Sequence, residues 1–239
     1  RIKDELTPTN GKYQIIEKKA IDYAIRLDEI FNYLIADKLS ETYARRNKRD
    51  NYKPFIEYLS KYENVNLFTL NHDLLLEYLL RVFGKKYADG FSTKSSSLFG
   101  EKDEQLKIFN KKAFNEKTKL FKLHGSIDLF RFEEIIERNA FSYRTNNFIY
   151  FKPETYRNNH FVYRKNLKTG EKIQDFNYDT APKFLTGMNK INIIKNDYYY
   201  KFLYDTFNKS FIDCNELLII GYSYNDTHIN KVLQNAVNT

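Results

Sequence analysis

The sequence has no tryptophan, one cysteine, one methionine, four prolines and eight glycines among 239 residues. A single thiol, Cys214, can form neither an internal disulfide nor a Cys-x-x-Cys zinc module, since both need cysteines in pairs. A reducing, cytoplasmic setting is the expectation that follows. Long apolar runs are missing too. The greasiest stretch, Leu74 to Phe83, is broken by Glu77 and Arg81 and falls short of the roughly 18 residues that a membrane span requires, so no membrane partner is expected. No collagen-like glycine period occurs, and 42% hydrophobic with 29% charged residues is not the composition of a disordered chain. The length and apolar mass suit one large domain or two small ones.

Basic residues outnumber acidic ones by 39 to 31, a net charge of +8 that would draw anions toward the surface. The lysines are spread along the whole chain, however, among many Asn, Ile, Tyr and Phe residues. The densest group is Ala44 to Lys53, with Arg45, Arg46, Lys48, Arg49 and Lys53. No carboxylate cluster with lysine at nuclease spacing accompanies it, so nucleic acid is the disfavoured partner.

Apolar residues at Ile16, Ala20, Ala24, Leu27, Phe31, Leu34, Ile35 and Leu39 recur at three and four, which predicts a helix over residues 13 to 45. Pro54 suits the first turn of a second helix, where its missing N–H is no loss; Phe55, Tyr58, Leu59 and Tyr62 share its face, and it ends near Glu63. Val65 to Leu70 is short and apolar, as a buried parallel strand is, and a helix follows over Asp73 to Phe83. Leu120 to Leu123 reads as a second strand, Pro182 to Leu185 as a further short one, and Leu217 to Ile220 as the clearest of all. Asp197 to Ile212 is helical by spacing, with its tyrosine stripe read as core. Thr227 to Val237 closes the chain as a helix capped by Asp226. Residues 84–118 and 127–180 read as insertions, the second with antiparallel pairing at Phe148 to Phe151 and Phe161 to Tyr163. The predicted class is α/β: a Rossmann-like parallel sheet flanked by helices, with inserted irregular and antiparallel segments.

Open parallel sheets bind ligands beyond the carboxyl ends of their strands. Three of the predicted strands end there in polar residues: Thr69-Leu70-Asn71-His72-Asp73, His124-Gly125-Ser126, and Gly221-Tyr222-Ser223-Tyr224-Asn225-Asp226. Each alone is ordinary turn chemistry. Together they would converge on one rim. The pairs His72 with Asp73 and Asp226 with His228 contain metal-ligating types, but turn chemistry accounts for them and no metal is expected.

The trio resembles the Thr-x-Asn-x-Asp, Leu-His-Gly and Gly-x-Ser segments of the sirtuin family, in the same order, and most resembles the sirtuin-like domains of bacterial anti-phage defence proteins. The resemblance runs in outline over residues 65 to 237 and implies one sirtuin-like domain across 1–239. It also implies NAD as substrate, with nicotinamide cleaved from ribose, and further domains or subunits of a defence protein, with homo-oligomers open. Asn71 would orient the ribose or an attacking water, and His124 would act as general base. Asp73 would accept from the nicotinamide amide, and Gly221 and Ser223 would contact phosphate and ribose. Thr69, Gly125 and Asp226 would complete the NAD contacts. Two departures matter. The four-cysteine zinc module of classical deacetylases cannot be built from one cysteine, so neither zinc nor protein deacetylation is expected. The glycine-rich phosphate loop is also absent: Gly11 is the lone glycine before the first strand. Because Met188 is the only methionine, Arg1 is not a translation start, and the first strand and loop are expected upstream of it. The alternatives to hydrolysis are a nucleotide-binding sensor without turnover and ADP-ribosyl transfer.

Overall fold

The computed structural model describes residues 27, 30, 34, 39, 50–138, 141–153, 161–177, 182–185 and 190–237. The predicted helix over 13 to 45 lies mostly outside these residues, although Leu27, Ile30, Leu34 and Leu39 are helical. Arg45, Arg46, Lys48 and Arg49 of the basic group lie outside them entirely.

In chain order the elements are α1 (Lys53–Leu59), β1 (Val65–Thr69), α2 (Leu75–Val82), β2 (Phe91–Ser92), β3 (Leu98–Gly100) and β4 (Lys107–Phe109). Then come β5 (Thr118–Lys122), β6 (Phe130–Arg138), β7 (Phe141–Lys152), β8 (Phe161–Lys165), β9 (Lys172–Asn177), α3 (Lys190–Asn196), α4 (Tyr198–Lys209) and α5 (Thr227–Val237). Pro54 sits in the first turn of α1, and Asp197 caps α4 by accepting from Tyr199 N and Tyr200 N.

Of the strands predicted for the parallel sheet two pair, as β1 and β5, in register from Val65 with Thr118 to Thr69 with Lys122. Both faces of the pair carry apolar side chains because each face is covered by helix. On one side Val65 and Leu67 pack with Ile56, Leu59, Leu79 and Leu80 of α1 and α2. On the other, Phe68 stacks on Phe121 with centroids 4.7 Å apart and meets the edge of Phe207 of α4 at 4.9 Å. Tyr199, Tyr200, Leu203 and Tyr204 of α4 are buried in that second core, as the stripe predicted, whereas Tyr198 stays partly exposed.

The two predicted insertions prove to be partners. Strands from residues 84–118 pair with strands from 127–180 to give a four-stranded antiparallel sheet, in the order β2-β4-β7-β6, and a three-stranded one, β3-β8-β9. Leu98, Leu106, Phe130, Phe132, Phe151 and Val162 fill a core of their own between them.

Leu217 to Ile220 corrects the sequence reading. This stretch is not a strand: it has no ladder partner among the described residues, and its four side chains are 39 to 67% exposed. A strand exists through hydrogen bonds to a neighbour, and the described parallel sheet has only β1 and β5, so apolar character alone does not make one here. Pro182 to Leu185 likewise reduces to one bridge, between Phe184 and Gly125.

Charges are buried beneath the sheet ends. Lys122 of β5 lies 3.3 Å from Glu77 of α2, and Lys152 of β7 lies 2.8 Å from Asp89 and 3.0 Å from Asp128. Burial works against the Lys152 charge, but Asp128, Asp89 and Glu77 outweigh it and hold its pKa well above the usual lysine value. Removing one partner of such a group strands the others in a poorly solvated place. Lys152→Met is therefore expected to destabilise the fold by about 3–5 kcal/mol. Urea denaturation measures it, and a loss below about 1 kcal/mol would mean that water screens the cluster.

Candidate functional site

Because β1 and β5 run parallel and in register, the residues that follow them emerge side by side. The Leu123 N–H donates to Thr69 O at 3.0 Å and the Ile127 N–H to His72 O at 3.0 Å, joining the two strand-end loops. Thr69 turns the first loop by accepting from Asn71 N at 3.1 Å, which leaves Asn71 exposed at the rim. Asp73 accepts from Leu75 N at 2.9 Å and so starts α2, while the Lys122 ammonium donates to its carbonyl.

The second loop turns on Gly125, whose φ of +84° suits glycine, and a Cβ there would lie 2.1 Å from the carbonyl oxygen of Lys183. The Leu185 N–H donates to His124 O at 2.8 Å, so the 182–185 segment grips the histidine backbone from the far side. His124 itself is 5% exposed. Its Nε2 is buried and has no hydrogen-bond partner, and the same is true of Nδ1 of His72. The two rings lie 6.3 Å apart, and the Phe184 ring lies tilted against His72 with centroids 4.4 Å apart.

The third cluster reaches the same place through α5. Tyr222 donates to Asn230 Oδ1 at 2.7 Å, and Asn230 donates back to Tyr224 O at 2.7 Å, which fixes the loop ahead of the helix. Gly221, with φ of +64°, and Ser223 lie solvent-exposed in that loop. Asp226 points inward. Its carboxylate accepts from Lys190 at 3.0 Å and faces His124, whose Nε2 is 3.9 Å from Oδ2. His228 follows two residues later, 5.9 Å ring to ring from His124, with Nε2 2.9 Å from the Tyr204 hydroxyl. The ligand-type atoms of His124, Asp226 and His228 lie within 4.8 Å of one another.

Electrostatics follow from this burial. Desolvation, then the Lys190 charge, push the His124 pKa down to about 4, against the pull of Asp226. Burial lowers His72 and His228 in the same direction. For Asp226 burial opposes ionisation, but the Lys190 hydrogen bond and the neighbouring positive charges prevail and keep the carboxyl below its ordinary value. At neutral pH the site therefore presents neutral imidazoles beside an ionised carboxylate.

Of the predicted residues, Thr69, Asn71, Asp73, His124 and Gly125 come together at the paired strand ends, and Asp226 joins them. Sequence reasoning missed Lys190, Tyr204 and the convergence of His228 on His124. The spacing of His228 two residues after Asp226 was a usable signal; nothing local marks Lys190.

A family model described as a SIR2-like domain matches residues 65–239, from the first residue of β1 through all three polar clusters. The chain belongs to the SIR2-like domain family. No curated protein matches it significantly. SIR2-like domains bind NAD, and in general they are NAD-dependent enzymes. The residues here suit such a ligand, because buried imidazole nitrogens without partners stand beside an exposed amide, and a positive-φ glycine, Gly221, has nothing within 4 Å of where a Cβ would lie. Among the described residues no helix of this SIR2-like chain is long and apolar enough to cross a membrane.

Two outcomes are expected. Gly125→Ala should destabilise the protein by about 1–3 kcal/mol, since it meets both a positive φ and a backbone oxygen; chemical denaturation reads the loss. Lowered histidine pKa values mean that the unfolded chain binds more protons below its own pKa of about 6.5. Stability is then fully present above that pH and lost as pH falls toward about 4. The melting temperature should drop between pH 7 and pH 5, and a smaller drop is expected for His124→Gln. A flat or rising profile would contradict burial of neutral imidazoles.

Proposed function

We propose that this SIR2-like domain hydrolyses NAD, cleaving nicotinamide from ribose, and that it is the NAD-depleting effector part of a bacterial anti-phage defence protein. The chemical half of this reading is carried by one observation: a nearly buried His124 at the end of β5, beside the β1 end that presents an exposed Asn71. The biological half rests on the resemblance of the three polar segments to those of defence proteins.

Breaking the glycosidic bond builds positive charge on the ribose, so the site must stabilise an oxocarbenium-like state and place a nucleophile. In this reading Asn71 both donates to and accepts from the ribose hydroxyls or the attacking water. His124 takes the proton from that hydroxyl or water as nicotinamide departs with the bonding electrons. Asp73 receives the nicotinamide amide, and Thr69, Gly125, Gly221, Ser223 and Asp226 make the remaining contacts to the nucleotide. No zinc takes part. The imidazoles and the carboxylate act as proton carriers and contacts rather than as ligands, and elemental analysis of washed protein should find no stoichiometric metal.

The intact protein, activated, should release nicotinamide from NAD. His124→Ala should lower the rate by about 10² to 10⁴-fold, the usual share of a general base. Asn71→Ala should also abolish most turnover while changing stability by about 0.5 kcal/mol or less, because the side chain is exposed. Chromatography of the products separates the readings: free ADP-ribose supports hydrolysis, ADP-ribose attached to protein or nucleic acid supports transfer, and NAD binding with no release supports a sensor. Full turnover by His124→Ala in a folded protein would overturn the role given to that residue.

A further inference from the structure

His124 is a weak base as it stands, with its pKa at about 4, and three of the four groups that face it make protonation harder: Lys190 from α3, His72 from the β1 loop and His228 from α5. Asp226 is the fourth, and among these it alone favours the imidazolium. Its geometry is built for that purpose. One carboxylate oxygen is held at 3.0 Å by Lys190, and the other faces the buried, partnerless Nε2 of His124 at 3.9 Å. The third histidine does not compete through the same nitrogen, because Nε2 of His228 is 2.9 Å from the Tyr204 hydroxyl.

Resting on the hydrolase reading above, we propose that Asp226, clamped by Lys190, is the positioning residue for His124: it fixes the tautomer with the proton on Nε2 and leaves Nδ1 to accept the substrate's proton. A buried atom facing a carboxylate cannot also face NAD, so the two ring nitrogens divide the work. The separation of 3.9 Å is too long for a hydrogen bond, and catalytic pairs commonly tighten only when ligand is bound. The step balances. Nδ1 takes a proton from the attacking water, the water oxygen bonds C1′ as the C1′–N bond breaks, and nicotinamide leaves neutral with the bonding electrons. The imidazolium so formed stands against Asp226 and later returns its proton to solvent. The role predicted for Asp226 from the sequence, contact with NAD, becomes in this proposal action through His124.

The same three side chains could instead gather a divalent metal. Lys190 disfavours this, because its ammonium already lies 3.0 Å from the carboxylate that the cation would need.

The chain has four histidines, so side-chain ¹H–¹⁵N correlation spectra can resolve each one. At pH 7 His124 should show the tautomer protonated at Nε2. Asp226→Asn should lower its titration midpoint, and Lys190→Met should raise it. In the intact protein Asp226→Asn should lower kcat for nicotinamide release by about 10² to 10⁴-fold, as loss of a tautomer-fixing carboxylate does elsewhere, with little change in KM. The acid limb of the kcat profile should move in the same direction as each midpoint. A His124 protonated at Nδ1, or a midpoint unmoved by Asp226→Asn, would overturn the proposal. So would zinc chloride at one equivalent shifting the His124 and His228 signals together to the metal-bound pattern. The spectra need no turnover: an inactive wild-type protein would refute NAD hydrolysis alone, whereas normal turnover with an unmoved midpoint would refute the role of Asp226 alone.

Discussion

Thr69 pairs with Lys122 in a parallel register, and the site follows from that one alignment. Parallel strands end at the same rim, so the loops after β1 and β5 must leave the sheet together, and two backbone hydrogen bonds then hold them there. Slipping β1 by one residue against β5 would turn Phe68 away from Phe121 and α4 and exchange the two faces of that strand. Those two rings stack on each other and Phe68 meets the edge of Phe207, so the same packing that buries the sheet also fixes where His124 emerges.

Buried charge supports that rim from below. Glu77, Lys122, Asp89, Asp128 and Lys152 come from α2, β5, β7 and two loops, with both lysines nearly buried against carboxylates. Such a cluster contributes little net stability compared with an apolar core, but it tolerates few alternative arrangements. Its location ties the antiparallel sheets to the loop bearing Asp128, two residues after Ser126. The inserted strands thereby help to hold the end of β5 and do more than decorate the sheet. Above the cluster, burial strips water from three imidazoles, and the Lys190–Asp226 pair sets the local sign of the field.

Much of this was legible in the sequence. Val65 to Leu70 and Leu120 to Leu123 announced strands because both faces of the pair meet helices, α4 announced itself by the spacing of Tyr200, Leu203, Phe207 and Phe211, and α5 by the Asp226 ahead of it. The polar signatures after β1 and β5 marked where the candidate site lies. What failed was Leu217 to Ile220, where apolar character was read as pairing; a ladder needs a second strand, and no local pattern reports whether one is present. The division of residues 84–180 into two insertions missed that they share sheets, because antiparallel partners such as β4 and β7 lie about forty residues apart and β-pairing leaves no periodic trace across such a gap. Lys190 was invisible for a similar reason. Its importance comes from meeting Asp226 in space, and a lone lysine in a lysine-rich chain carries no signal.

The central claim is that NAD is processed where the β1 and β5 loops meet, with His124 as the proton acceptor. An experimental structure of the intact protein with ADP-ribose bound tests it most directly. The account predicts a ribose hydroxyl or the water at C1′ within about 2.6–3.2 Å of His124 Nδ1, Asn71 beside the same ribose, and Asp226 drawn in to hydrogen-bond with Nε2. ADP-ribose seated elsewhere, with the His124 pocket closed by side chains, would contradict it.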